Sequence, residues 1–116
     1  METAARCLGT LEAFAAAGRE RDTTPSTSPD RSMELQVTDL GRSYYATLVG
    51  RHIEGICEDA PAGKVDIVLK VDADTLVELF SGRLSPFVAL SSRRAKLDAP
   101  VRDMARLRAL FLGAGR

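Results

Sequence analysis

Apolar and polar residues alternate with period two along several short stretches of the chain, and with helical period along others. Met33, Leu35 and Val37 alternate with Glu34, Gln36 and Thr38, which predicts a strand with one buried face. Tyr44, Ala46 and Leu48 then oppose Tyr45, Thr47 and Val49 in a second strand. A third, weaker strand runs from Arg51 to Glu58. The spacing of Ile53 and Ile56 breaks strict alternation there, so Gly55 is expected to mark a bulge. Short links between these strands favour antiparallel pairing. Val65, Ile67, Leu69 and Val71 predict a fourth strand, and Ala95 with Leu97 predicts a short fifth over Arg94–Asp98.

Helical spacing appears in three places outside that sheet. Residues 2–18 carry the stripe Cys7, Leu8, Leu11, Phe14 and Ala15, with Thr3 as a cap and Gly18 as an end. Leu76, Leu79 and Phe80 predict a helix capped by Asp72 or Asp74, with Thr75 and Glu78 spaced as a capping box. Gly82 can take the left-handed conformation that stops it. Ser85 and Pro86 then fit the cap and first turn of the next helix. Near the C-terminus, Asp98 and Pro100 are expected to open a last helix. Its apolar face comprises Val101, Met104, Ala105, Leu107, Leu110 and Phe111, with Arg102, Arg106 and Arg108 largely on the other side. Between the first helix and the sheet, residues 19–32 hold two prolines and six Ser or Thr. Such a segment buries too little to offset ordering entropy, so a mobile linker is expected there.

The order of elements resembles the sterol carrier protein type 2 family of lipid-binding domains. The segments that carry the likeness are VDIVLKV, DADTLVELF, SGRLSP, FVAL, RAKLDA and VRDMARLRALF, and it covers roughly residues 33–112. The resemblance implies an apolar tunnel for fatty acyl chains or sterols, with the C-terminal helix helping to cover it. The long apolar side chains expected to line it are Leu76, Leu79, Phe80, Phe87, Leu90, Met104, Leu107, Leu110 and Phe111.

Strand alternation beside wide apolar helix stripes requires two layers. The predicted fold class is α+β, a single mainly antiparallel sheet of about five strands covered by helices. Residues 1–18 form an N-terminal helix, 19–32 a linker and 33–116 the lipid-binding domain. A length of 116 residues fits one domain, and aromatics at 5% with no Trp leave the core mostly aliphatic. No apolar run approaches the roughly 20 residues of a membrane span, and no secretory signal is legible, so a cytoplasmic setting is expected. Cys7 and Cys57 are fifty residues apart with no metal-ligand spacing, which predicts free thiols.

Formal net charge is zero, which argues against nucleic-acid binding. Residues 93–116 nevertheless carry a net of +5 and residues 52–79 a net of −5. Arg102, Arg106 and Arg108 are therefore candidates for contact with an anionic membrane or a partner. His52 is the single histidine, and no nucleophile–base pair, phosphate loop or metal cluster accompanies it. No catalytic residue, metal or cofactor is expected. The leading function is non-catalytic binding, and transfer, of a lipid or other apolar small molecule. The alternative is a ligandless accessory or dimerisation module of the same fold, acting as a homodimer. An enzyme is the third reading, because domains of the resembled family occur fused to enzymes.

Overall fold

The computed structural model describes residues 3–21, 29–50 and 52–108 of the chain. A helix, α1 (Ala4–Arg21), precedes three strands, β1 (Arg31–Val37), β2 (Arg42–Val49) and β3 (His52–Cys57). There follow β4 (Ile67–Val71), α2 (Ala73–Phe80), α3 (Pro86–Ser91) and β5 (Ala95–Asp98). A 3₁₀ turn over Val101–Asp103 then leads into α4 (residues 104–108). The five strands form one sheet in the order β3-β2-β1-β4-β5. Every pairing is antiparallel except β1 with β4, which is parallel. The architecture is α+β, with the mainly antiparallel sheet that the alternation predicts.

Alternation sets which face is buried. Met33, Leu35 and Val37 point into the core with Tyr44, Ala46 and Leu48, and with Ile67, Leu69 and Val71. The predicted bulge is present: Tyr45 pairs with Cys57 and Thr47 with Glu54, so β3 carries one extra residue. Gly55 absorbs it at φ +66°, a conformation that strains any residue with a Cβ.

α1 lays Cys7, Leu11 and Phe14 against α2 and β3, and Thr3 Oγ1 accepts from the Arg6 N–H at 3.2 Å. Gly18 does not end this helix. It is buried within it, and the helix runs on to Arg21. Residues 22–28, the middle of the expected linker, lie outside the described residues.

Asp72 caps α2 by accepting from the Thr75 N–H at 3.1 Å. Thr75 and Glu78 do not form the expected capping box. Thr75 is buried, and both side chains instead accept from the Arg94 guanidinium. Gly82, at φ +81°, turns the chain out of α2, and Ser85 caps α3 by accepting from the Phe87 N–H at 3.2 Å. The start of the last helix also differs from expectation. Asp98 stays in β5, paired with Val68, and Pro100 precedes the 3₁₀ turn without a side-chain cap.

Tyr44 ties the sheet to the first helix. Its ring is buried and its hydroxyl donates to the Ala4 carbonyl at 3.1 Å. Burial, aided by Cys7, raises the phenol above its ordinary value. A neutral acid with a raised folded pKa contributes stability that is complete below its unfolded pKa, about 10, and that is lost as pH rises towards the folded value. Tyr44→Phe is therefore expected to cost about 1 kcal/mol at neutral pH and to flatten the loss of stability above about pH 10. Urea midpoints across pH 8–11 measure both effects.

Candidate functional site

The short helix α3 packs against β5 and α2, and the space beneath it is not filled. A cavity of about 460 Å³ opens between the helix-covered face of the sheet and the helices α2, α3 and α4. β4 contributes Leu69 and β5 contributes Ala95 and Leu97. α2 gives Leu79; α3 gives Pro86, Phe87, Ala89 and Leu90; α4 gives Met104, Ala105, Leu107 and Arg108. Small side chains explain the void. Ala89, Ala95 and Ala105 sit where three elements converge, and a larger residue at any of them would enter the space.

The walls are apolar with one charged exception. Arg108 lies at the wall with its guanidinium carbon 5.4 Å from the centre of the Phe87 ring, a cation–π contact. Phe87 is itself 56% exposed, and Leu90 and Met104 are also partly open. The site therefore has apolar depth and a cationic, partly open margin.

Of the nine residues expected to line an apolar ligand site, five border this cavity: Leu79, Phe87, Leu90, Met104 and Leu107. Leu76 and Phe80 do not. Leu76 is fully buried, and Phe80 packs edge-on against Phe14 with ring centres 4.9 Å apart, so both belong to the filled core under α1. Leu110 and Phe111 lie outside the described residues. Pattern reading passed over Leu69, Ala95 and Leu97 on the sheet, Pro86, Ala89 and Ala105 on the helices, and the placement of Arg108 at the cavity. The strand residues carried a signal, since each falls on the buried phase of its alternation. The alanines carried none.

The three arginines of the C-terminal region part company. Arg102 and Arg108 are exposed. Arg106 folds inward, donating from Nε to the Gly50 carbonyl at 3.2 Å and from its terminal nitrogens to the Pro29 carbonyl at 2.8 Å and the Leu48 carbonyl at 3.5 Å. It also lies 3.7 Å from the buried Asp103 carboxylate. Arg106 thus fastens α4 to the sheet instead of presenting charge to a surface.

Among the described residues no group of three or more His, Cys, Asp and Glu could hold a metal ion. Among the described residues, too, no helix is long and apolar enough to cross a membrane.

Neither a family model nor a curated protein matches the sequence. Solved structures do. The sterol carrier protein domain 2 of Helicoverpa armigera superposes with a TM-score of 0.70 at 16% identity, over 96% of this chain and 90% of that one. The chain has the sterol carrier protein 2 fold. The Aedes aegypti sterol carrier protein-2, solved in complex with palmitate, matches over 97% of this chain and 98% of its own, with a TM-score of 0.64 at 13% identity. The same fold occurs inside larger proteins. A double mutant of the sec-alkyl sulfatase PisA1 matches with a TM-score of 0.57 at 20% identity, over 71% of this chain. This chain spans only 13% of the sulfatase's length.

Proposed function

We propose that the chain binds an apolar lipid in the cavity between the sheet and α2–α4, without catalysing a reaction on it. The observation that carries this reading is the 460 Å³ void with apolar walls in a sterol carrier protein 2 fold. Its volume falls in the range of small-molecule sites. Each buried methylene contributes about 0.8 kcal/mol, so a chain of about ten carbons offsets a substantial part of the cost of association. The Aedes aegypti neighbour in complex with palmitate supports a fatty acyl ligand. Arg108, at the margin, is positioned for its acidic head. Organic extracts of the purified protein, read by mass spectrometry, test the proposal directly. A co-purifying lipid at near-stoichiometric amount is expected.

Two substitutions sharpen the test. Ala105→Trp places an indole at the cavity on an exposed helix position, and is expected to leave the melting temperature within a few degrees while weakening a fluorescent fatty-acid probe at least tenfold. Arg108→Gln is expected to weaken the fatty-acid probe roughly fivefold, about 1 kcal/mol for an exposed charge-assisted contact, and to leave a fluorescent sterol unaffected. Equal binding by all three proteins would sink the cavity as the site.

A second reading rests on the apolar surface beside the cavity. Val88 is 51% exposed and Val101 87% exposed, and neither lines the void. Exposed apolar side chains such as these and Phe87 suit pairing with a second copy of the chain as an accessory module. Solution mass distinguishes the two: a stable dimer that yields no lipid favours pairing. Arg102 and Arg108 are exposed too and would meet an anionic bilayer, an attraction that added salt should weaken.

A further inference from the structure

On the other side of β5 three unusual arrangements meet within one cleft. The cleft has a volume of about 420 Å³ and forms where β4 runs into α2 and where α3 turns into β5. Lys70, Arg93, Arg94 and Lys96 line it, with Thr38, Thr75 and a single acid, Asp72. First, Lys70 and Lys96 are direct cross-strand partners in the β4–β5 ladder, and like charges at that spacing repel. Second, Arg93 stands at φ +64°, the sole non-glycine with positive φ among the described residues. It occupies the position after α3 that glycine usually fills. Third, Lys70, Arg93 and Lys96 make no ion pair among the described residues. Asp72 makes no ion pair with them; its carboxylate accepts from the Thr75 N–H as the cap of α2. Arg94 alone is engaged, with Glu78 and Thr75.

The cross-strand lysine pair and the left-handed arginine each lower stability, and neither is required by the sheet. A polar residue in place of either lysine, or glycine in place of Arg93, would suit the fold better. Strain and repulsion gathered at one place point to a ligand that uses them. Three uncommitted cations gathered at one cleft match an anion with two charges and several acceptor oxygens. We infer that this cleft binds a phosphate group, at a site separate from the apolar cavity. The group could be carried by a lipid head or by a small soluble molecule, and the chemistry at the cleft is the same.

The test combines inorganic phosphate, vesicles and stability. Inorganic phosphate, titrated at constant ionic strength against a chloride control, is expected to shift the backbone amide resonances of residues 70–75 and 93–96 saturably. Lys70→Gln/Lys96→Gln should weaken that response at least fivefold while keeping fatty-acid binding in the cavity. Arg93→Gly should raise the melting temperature by about 4 °C, the shift that relief of a left-handed non-glycine implies for a small domain. It should also weaken the phosphate response. A merely structural arginine would give no phosphate effect. Phosphatidylcholine vesicles with one-fifth phosphatidic acid separate the two sources. Sedimentation of the wild type but not of the lysine double variant assigns a lipid head, whereas a phosphate response without sedimentation assigns a soluble ligand. Amide shifts that follow ionic strength alone, or that persist unchanged in both variants, overturn the site.

Discussion

Phe80→Asp is expected to abolish the folded state. Phe80 is nearly inaccessible at the C-terminal end of α2, where it meets Phe14 of α1 edge-on at 4.9 Å and an interplanar angle of 83°. Removing the ring from such a site costs about 3–5 kcal/mol in packing. An unpaired carboxylate left in its place costs several more. The sum approaches the entire stability of a domain of this size, about 5–15 kcal/mol. Far-ultraviolet circular dichroism and dispersion of the amide resonances should both report an unfolded chain at 25 °C. Phe87→Asp is the matching control. That ring is more than half exposed at the cavity margin, so the fold should survive while fatty-acid binding falls. A cooperative, wild-type melt from Phe80→Asp would mean that α1 does not pack on α2 as described.

The contrast between these two phenylalanines marks what pattern can carry. Helical spacing placed Leu76, Leu79 and Phe80 on one buried stripe, and all three are buried. Spacing reports that a residue faces the interior. It does not report whether the interior at that point is filled. The stripe divides: Leu79 faces the cavity, while Leu76 and Phe80 face the solid core. The difference arises from α1, which packs along one side of α2, from Cys7 at Ala73 to Phe14 at Phe80, and leaves the other side to the cavity, a contact between segments some sixty residues apart. The cavity also depends on Ala89, Ala95 and Ala105 being small, and alanine in a sequence reads as helix propensity or filler. The strands were legible because period two is unambiguous over seven residues, as in β1. The bulge at Gly55 was legible because it broke that period. The parallel pairing of β1 with β4 was not predicted. It follows from the long passage through β2 and β3, which returns the chain to the free edge of β1 in the same direction.

The last helix shows the limit most clearly. Arg102, Arg106 and Arg108 look alike in the sequence, three cations opposite an apolar face. The structure gives Arg106 to the backbone carbonyls of Leu48, Gly50 and Pro29, and sets Asp103 beside it. Nothing local distinguishes that arginine, because its acceptors are more than fifty positions away. Replacing all three by glutamate would therefore test stability more than membrane contact, and Arg102 and Arg108 alone are the proper pair for the latter.

Asp103→Ala is expected to loosen the same helix and to cost about 3 kcal/mol. The Asp103 side chain is only 4% exposed. Its carboxylate lies 3.1 Å from Arg31 Nε and 3.7 Å from Arg106, whose side chains are 15% and 12% exposed. Deleting the acid leaves two largely buried cations with no anion between them. Arg106 keeps its three carbonyl acceptors, which holds the cost near the lower end of the range for a broken buried pair. Because the cluster is shielded from solvent, the loss should persist in 0.5 M salt, unlike that of a surface pair. Arg31→Met in the same background removes one of the stranded cations, so the double variant should recover part of the urea midpoint that Asp103→Ala alone loses. The consequence reaches the cavity. α4 supplies Met104, Ala105, Leu107 and Arg108 to its wall, and the Asp103 cluster joins the start of that helix to β1 and, through Arg106, to the end of β2. Ligand retention should therefore fall with Asp103→Ala even at temperatures where the sheet stays folded. An unchanged midpoint together with unchanged fatty-acid binding would show that α4 is held by its apolar face alone.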